Sequence, residues 1–267
     1  KMFKERLISG IVLVIILIAT VGYGGKVLFA AVGLISLIGM SELYKISKVQ
    51  GRLPGIVGYV AAVCYYGLLF FGRRELVTMI SVLFLVLLMA VYVFSYPEYM
   101  AGQIMTVFFG FFYVAVMLSY VYQTRMLTEG SVVVWLIFLS SWGCDTCAYC
   151  VGVLFGKHKM APKLSPKKSV EGGIGGVAGA ALLGALFAMA VNRWGGQATD
   201  PLYYALICGA GGVISQIGDL AASGIKRNHD IKDYGKLIPG HGGILDRFDS
   251  VIFTAPVIYY LAVLFAG

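Results

Sequence analysis

Nine apolar stretches recur along the chain, at 7–21, 27–46, 54–71, 76–94, 101–123, 132–155, 173–191, 203–222 and 251–266. A hydrocarbon core about 30 Å thick is crossed by ~20 apolar residues rising 1.5 Å each. Hydrocarbon offers no partner to backbone N–H and C=O groups, so a spanning segment must be a helix or part of a closed barrel. These runs are continuous rather than alternating, which favours helices. The expectation is an all-α, polytopic integral membrane protein with about nine transmembrane helices. Composition agrees, with a mean hydropathy of +0.86, 59% hydrophobic residues and only 13% charged ones, outside the range of soluble domains.

The first span follows charged residues and precedes no small-residue cleavage site, so it is expected to be retained rather than removed as a signal peptide. All five cysteines lie in hydrophobic segments, which excludes a secreted disulfide framework. The net charge of +8 invites a nucleic-acid reading, but its distribution argues against one. The basic residues occupy short loops between spans, where anionic lipid accounts for them. Sixteen of the 21 Lys and Arg fall on the side of the N-terminus and of the loops after spans two, four, six and eight, against five on the other. That side is expected to be cytoplasmic, in the cell membrane.

Two long polar segments lie on it, 156–172 (GKHKMAPKLSPKKSVEG) and 223–249 (SGIKRNHDIKDYGKLIPGHGGILDRFD). Both connect spans of the C-terminal half. We therefore expect residues 1–130 to form scaffold, lipid contacts or an oligomer surface, and 131–267 to carry the chemistry.

Acids in or beside apolar spans are costly to bury and call for a reason. Asp145 lies within span six, Asp219 near the end of span eight, and Asp246 and Asp249 at the entry to span nine. Carboxylates brought to one side of a helix bundle can share a divalent cation, and Mg²⁺ takes one or two carboxylates together with water and phosphate oxygens. The plainer alternative is that each aspartate pairs with a basic neighbour or caps a helix, as Asp249 would be suited to do. Lys167 and Lys168 precede the start of span seven, where charge and helix dipole together favour phosphate; a solvated basic loop is the competing reading. Glu171 beside them is either part of the site or a structural salt bridge. Cys144, Cys147 and Cys150 have a spacing that superficially suits an iron–sulfur cluster, but steps of three inside a span place them along one helix side as small packing residues. His241, in PGHGG, is suited to hydrogen-bond a phosphate.

The run S-G-I-K-R-x4-K-D-x-G-x2-I-P-G-H-G-G-I-x-D-R-F-D, beginning at Ser223 and ending at Asp249, resembles the signature of the phosphatidate cytidylyltransferases (CDP-diacylglycerol synthases), with no departure at its fixed positions. Upstream, Asp145-Thr146, Ala148-Tyr149, Gly152, Phe155-Gly156-Lys157 and the run from Leu164 through Ser169 with Glu171-Gly172 resemble a second block of that family. The first five spans resemble it in hydropathy alone. The resemblance implies conversion of CTP and phosphatidate into CDP-diacylglycerol and pyrophosphate, with Mg²⁺ required and a second cation as an option.

The roles assigned on that basis are expectations. Asp219 and Asp246 hold the metal, with Asp145 and Asp249 as further candidates for the same shell. Lys167, Lys168, Lys226, Arg227 and Arg247 contact triphosphate or lipid phosphate. Ser223, Lys232, Asp233 and His241 complete or order the site, and Gly240, Gly242 and Gly243 allow the backbone close to phosphate. A lateral opening between C-terminal helices should admit the lipid. Two other readings remain: a CTP-dependent lipid kinase, which would release CDP, and an ion-coupled transporter using Asp145 and Asp219. A homodimer is expected on general grounds.

Overall fold

The computed structural model describes residues 2–196 and 198–265, with side chains described from residue 8 to 264. Lys1 and Ala266, and the side chains of Lys4 and Arg6 used in the charge count, lie outside the described residues.

Helices dominate: α1 (Met2–Tyr23), α2 (Gly25–Ile46), α3 (Leu53–Phe70), α4 (Val77–Phe94), α5 (Ala101–Gly110), α6 (Met117–Arg125), α7 (Gly130–Phe138), α8 (Cys144–Phe155), α9 (Val170–Trp194), α10 (Pro201–Asn228) and α11 (Leu245–Phe265). Among the described residues, eight helical segments are long and apolar enough to cross a membrane, and Ile8–Tyr23 of α1 forms a shorter apolar helix where the first span was expected. The protein is a multi-pass, all-α membrane protein.

Two expected spans are continuous helices interrupted by wide turns. A π-helical segment (Phe111–Val116) joins α5 to α6, and another (Leu139–Gly143) joins α7 to α8. Each wide turn changes the rotational phase of the helix that follows it. The second therefore sets which way Cys144 and Asp145 face. Between α8 and α9, in place of the expected loop, two short strands, β1 (Lys159–Ala161) and β2 (Ser165–Ser169), pair antiparallel. β2 runs directly into α9, whose N-cap Ser169 accepts a hydrogen bond from the Gly172 N–H at 3.1 Å.

The chain divides into two compact units. The first comprises Lys1–Tyr122 with Asp233–Arg247, and the second Gln123–Lys232 with Phe248–Gly267. The core of the first is built on aromatic residues, three of whose hydroxyls bridge its helices. Tyr44 donates to the Val107 carbonyl at 2.9 Å, Tyr66 meets Ser36 Oγ at 2.7 Å, and Tyr65 meets Ser119 Oγ at 2.8 Å. Buried hydroxyls need such partners in any apolar interior.

In the second unit, small residues let helices approach closely, the usual device where lipid supplies no hydrophobic drive. A Cβ on Gly176 of α9 would stand 2.8 Å from Ala148 Cβ and 3.0 Å from the Cys144 carbonyl of α8. Gly179 leaves room for Cys147 in the same way. Cys144 is fully buried and donates to the Gly212 carbonyl at 3.5 Å. Both thiols thus pack between helices.

Candidate active site

Within the second unit, α8, β2, α10 and α11 each contribute charged side chains to one region. On α10, Asp219, Ser223 and Lys226 follow at steps of four and three, which align them on one helix face. Ser223 Oγ donates to Asp219 Oδ1 at 3.4 Å, and Lys168 Nζ from β2 forms an ion pair with Asp219 Oδ2. Asp249 of α11 is 8% exposed and lies in electrostatic range of Asp219, Lys226 and Asp145. Its carboxylate accepts the Ser250 N–H at 2.8 Å, and Ser250 Oγ reaches Asp145 Oδ2 at 3.5 Å. α10 comes this close to α11 at Gly218, where a Cβ would stand 2.9 Å from the Asp249 carbonyl oxygen. Three carboxylates against two ammonium groups, at the ends of apolar helices, form a site that would gain from a cation and a polyphosphate together.

The lysine pair is split by the strand. Successive residues of a strand point to opposite faces, so Lys168 turns inward to Asp219 while Lys167 is exposed. Glu171 has a structural occupation. It accepts the Lys157 N–H at 3.1 Å, the His158 N–H at 3.2 Å and contacts His158 Nδ1 at 2.5 Å, tying the start of the hairpin segment to the first turn of α9. Arg227 and Lys232 are exposed, with Arg227 Nη1 at 3.5 Å from the Ile231 carbonyl.

Within the first unit, the rest of the polar stretch folds into a tight turn. Gly240 and Gly242 have φ of 75° and 87°, a region that other residues enter at a cost. A Cβ on Gly242 would also stand 2.8 Å from Asp246 Oδ2 and 3.4 Å from Asp233 Cβ. Asp246, 6% exposed, accepts the N–H groups of Tyr234 at 2.8 Å and Gly243 at 2.9 Å. His241 Nδ1 lies 2.8 Å from Ser9 Oγ, and Ser9 Oγ donates to the Pro239 carbonyl at 3.0 Å. A hydroxyl has one proton, so with that proton on Pro239 the imidazole Nδ1 is the donor, and the neutral ring is unprotonated at Nε2.

One residue of this turn's surroundings escapes the sequence reading. Glu42, near the C-terminal end of the apolar helix α2 and 8% exposed, accepts the Ile244 and Leu245 N–H groups, each at 2.9 Å. The rule that singled out Asp145 and Asp219 applies equally to an acid in span two.

Among the described residues, no three His, Cys, Asp or Glu side chains gather into a group that could hold a metal ion alone. Zinc and calcium centres need such a set, whereas Mg²⁺ is satisfied by one or two carboxylates completed by water and phosphate. The donors present, all carboxylates, fit Mg²⁺ carried in with a nucleotide.

Comparison with known proteins identifies the family. The sequence profile of the cytidylyltransferase family matches residues 4–265. The phosphatidate cytidylyltransferase of Bacillus subtilis (strain 168) is 32% identical, over 98% of this chain and 98% of its own length. Those of Staphylococcus epidermidis and Staphylococcus saprophyticus are 32% and 31% identical, each over 97% of this chain and 99% of their own length. With a match that runs nearly from end to end, the chain belongs to the cytidylyltransferase family and is a membrane-embedded nucleotidyltransferase.

Proposed function

We propose that this protein is a phosphatidate cytidylyltransferase, converting CTP and phosphatidate into CDP-diacylglycerol and pyrophosphate. The observation that carries the reading is the Asp219–Lys168 pair with Asp249, Asp145 and Lys226 around it, set at the ends of membrane-spanning helices in a chain similar throughout to proteins of that name. A phosphatidate oxygen attacks the α-phosphorus of CTP. The new P–O bond joins the lipid phosphate to the cytidylyl group, and the bond to the β-phosphate breaks, so the electron pair leaves with pyrophosphate. The lipid phosphate is already ionised near neutral pH and needs no general base. The barrier lies in bringing two anions together, and fixed positive charge lowers it.

In this reading Lys168 and Lys226 neutralise phosphate oxygens, with Arg227, Arg247 and Lys167 as further contacts and Ser223, Lys232, Asp233 and His241 ordering the site. Within the second unit, Asp219 and Asp249, with Asp145 beside them, are the carboxylates that would hold Mg²⁺; Asp246 is kept as a candidate ligand on the motif alone. When bound, Mg²⁺ supplies charge neutralisation at the triphosphate and the leaving pyrophosphate. Asp219, paired here with Lys168, would share its charge between that ammonium and the cation.

The lipid must keep its acyl chains in hydrocarbon. The second unit has an apolar cavity of about 500 Å³ lined by Trp135, Phe138, Trp142, Thr146, Leu183 and Phe187 among others, beside the wide turn that precedes Asp145. Its size is within the range of ligand clefts, and it supports lateral entry of the lipid. The excess of Lys and Arg on the side of the polar segments supports a cytoplasmic active site in the cell membrane, where CTP is available. A homodimer remains the proposed assembly.

The test is product identity. Purified protein given CTP, phosphatidate and Mg²⁺ should release pyrophosphate only when all three are present. Release of CDP in its place would assign the chain to lipid kinases.

A further inference from the structure

The turn that carries Asp246 is held from two sides. From within, the Asp246 carboxylate accepts the Tyr234 and Gly243 N–H groups. From α2, some 200 residues away in sequence, Glu42 accepts the next two N–H groups, Oε1 from Ile244 and Oε2 from Leu245. These are donors at the N-terminus of α11, which the helix itself leaves unsatisfied. The fit is close on the glycine side as well. A Cβ on Gly243 would overlap both Glu42 carboxylate oxygens, and one on Gly235 would overlap Oε1. The two glycines thus let backbone lie directly against a carboxylate rather than against a neutral side chain.

We propose that Glu42 is a positioning residue for nucleotidyl transfer: by clamping the 243–245 backbone it fixes the turn that presents Asp246. The inference rests on the reaction proposed above. Glu42 does not touch the substrates in this scheme. It acts through the turn, as an anchor that neither helix propensity nor the glycines can replace. A glycine-rich turn is costly to hold in one conformation, and a displacement of about 1 Å at a reacting group can lower a rate by roughly 10²-fold.

Both carboxylate oxygens accept, and this makes the requirement sharp. Gln has the same shape but one acceptor, and its NH₂ would face a backbone N–H. Asp keeps two acceptors and the charge but falls short by one methylene.

The experiment uses full-length protein with Glu42→Gln and Glu42→Asp, and two readouts. The first is hydrogen–deuterium exchange in the absence of nucleotide and metal. Glu42→Gln should exchange faster within 233–247 while the other helices keep wild-type protection. The second is pyrophosphate release, where kcat should fall by roughly 10²-fold in Glu42→Gln, KM for CTP should change less, and Glu42→Asp should recover part of the loss. Wild-type exchange and turnover in Glu42→Gln would overturn the proposal. So would faster exchange throughout the molecule, with Glu42→Asp no better than Glu42→Gln, since that is the mark of a packing role. If wild-type protein releases no pyrophosphate, the proposed reaction falls. Exchange confined to 233–247 in Glu42→Gln would even then uphold the clamp, and unchanged exchange would remove it.

Discussion

Asp246 and Lys168 show how much the role of a charged residue depends on its partners. Both N–H groups that Asp246 accepts arrive at Oδ2. An asparagine can place its carbonyl oxygen there and keep both bonds while losing the charge. Asp246→Asn should therefore fold with a melting temperature near that of wild type, yet lose roughly 10²–10³-fold in turnover, a size typical of removing one electrostatic contact in a reacting site. Asp246→Ala should differ, because leaving a buried donor without a partner costs about 1–3 kcal/mol each. Thermal unfolding in detergent beside pyrophosphate release separates the two. For the lysines, Lys168→Met leaves the half-buried Asp219 without its ammonium partner, whereas Lys167 stands exposed on the opposite strand face. Turnover should fall by at least tenfold more in Lys168→Met than in Lys167→Met, about 1.4 kcal/mol of extra barrier. Equal losses would mean that the strand does not set their roles.

At the level of elements, α8 and α9 meet through glycine, and the second unit depends on that approach. Gly176→Leu would drive a side chain into Ala148 and the Cys144 carbonyl. It should destabilise by about 1–3 kcal/mol, the usual range for overpacking, seen as a lower unfolding midpoint with activity lost only as folded protein is lost. The helices themselves were legible in the sequence, because each spanning segment is a run of hydropathy that needs no partner to be recognised. Less legible were the turns inside them. A π turn adds one residue to a helical repeat, and in an apolar run such as 111–116 nothing marks the change of phase. The β1–β2 hairpin was hidden for a different reason. Its strands hold three and five residues, and lysines, prolines and glycine around them read as an irregular loop.

For the whole molecule, the motif residues gave the chemistry away, while the way they are supported did not show. The stretch 223–249 reads as one segment, yet its residues divide between two compact units, Ser223 to Lys232 and Phe248–Asp249 in one and Asp233–Arg247 in the other. Long-range partners such as Glu42 and Ser9, more than 200 residues from the groups they bind, leave no local pattern. The lipid-facing character of the chain was plain by comparison. Val82, Leu83, Val86 and Leu87 of α4 are each more than half exposed, which hydrocarbon accommodates and water would not. The central claim, transfer of a cytidylyl group to a membrane lipid, is tested most directly by following the phosphorus atoms. CTP labelled at the α-phosphate and CTP labelled at the γ-phosphate would be given in parallel to the protein in vesicles containing phosphatidate and Mg²⁺. The expected result is α label in the lipid fraction and γ label in aqueous pyrophosphate. Label from the γ position in the lipid, with CDP left in solution, would contradict it.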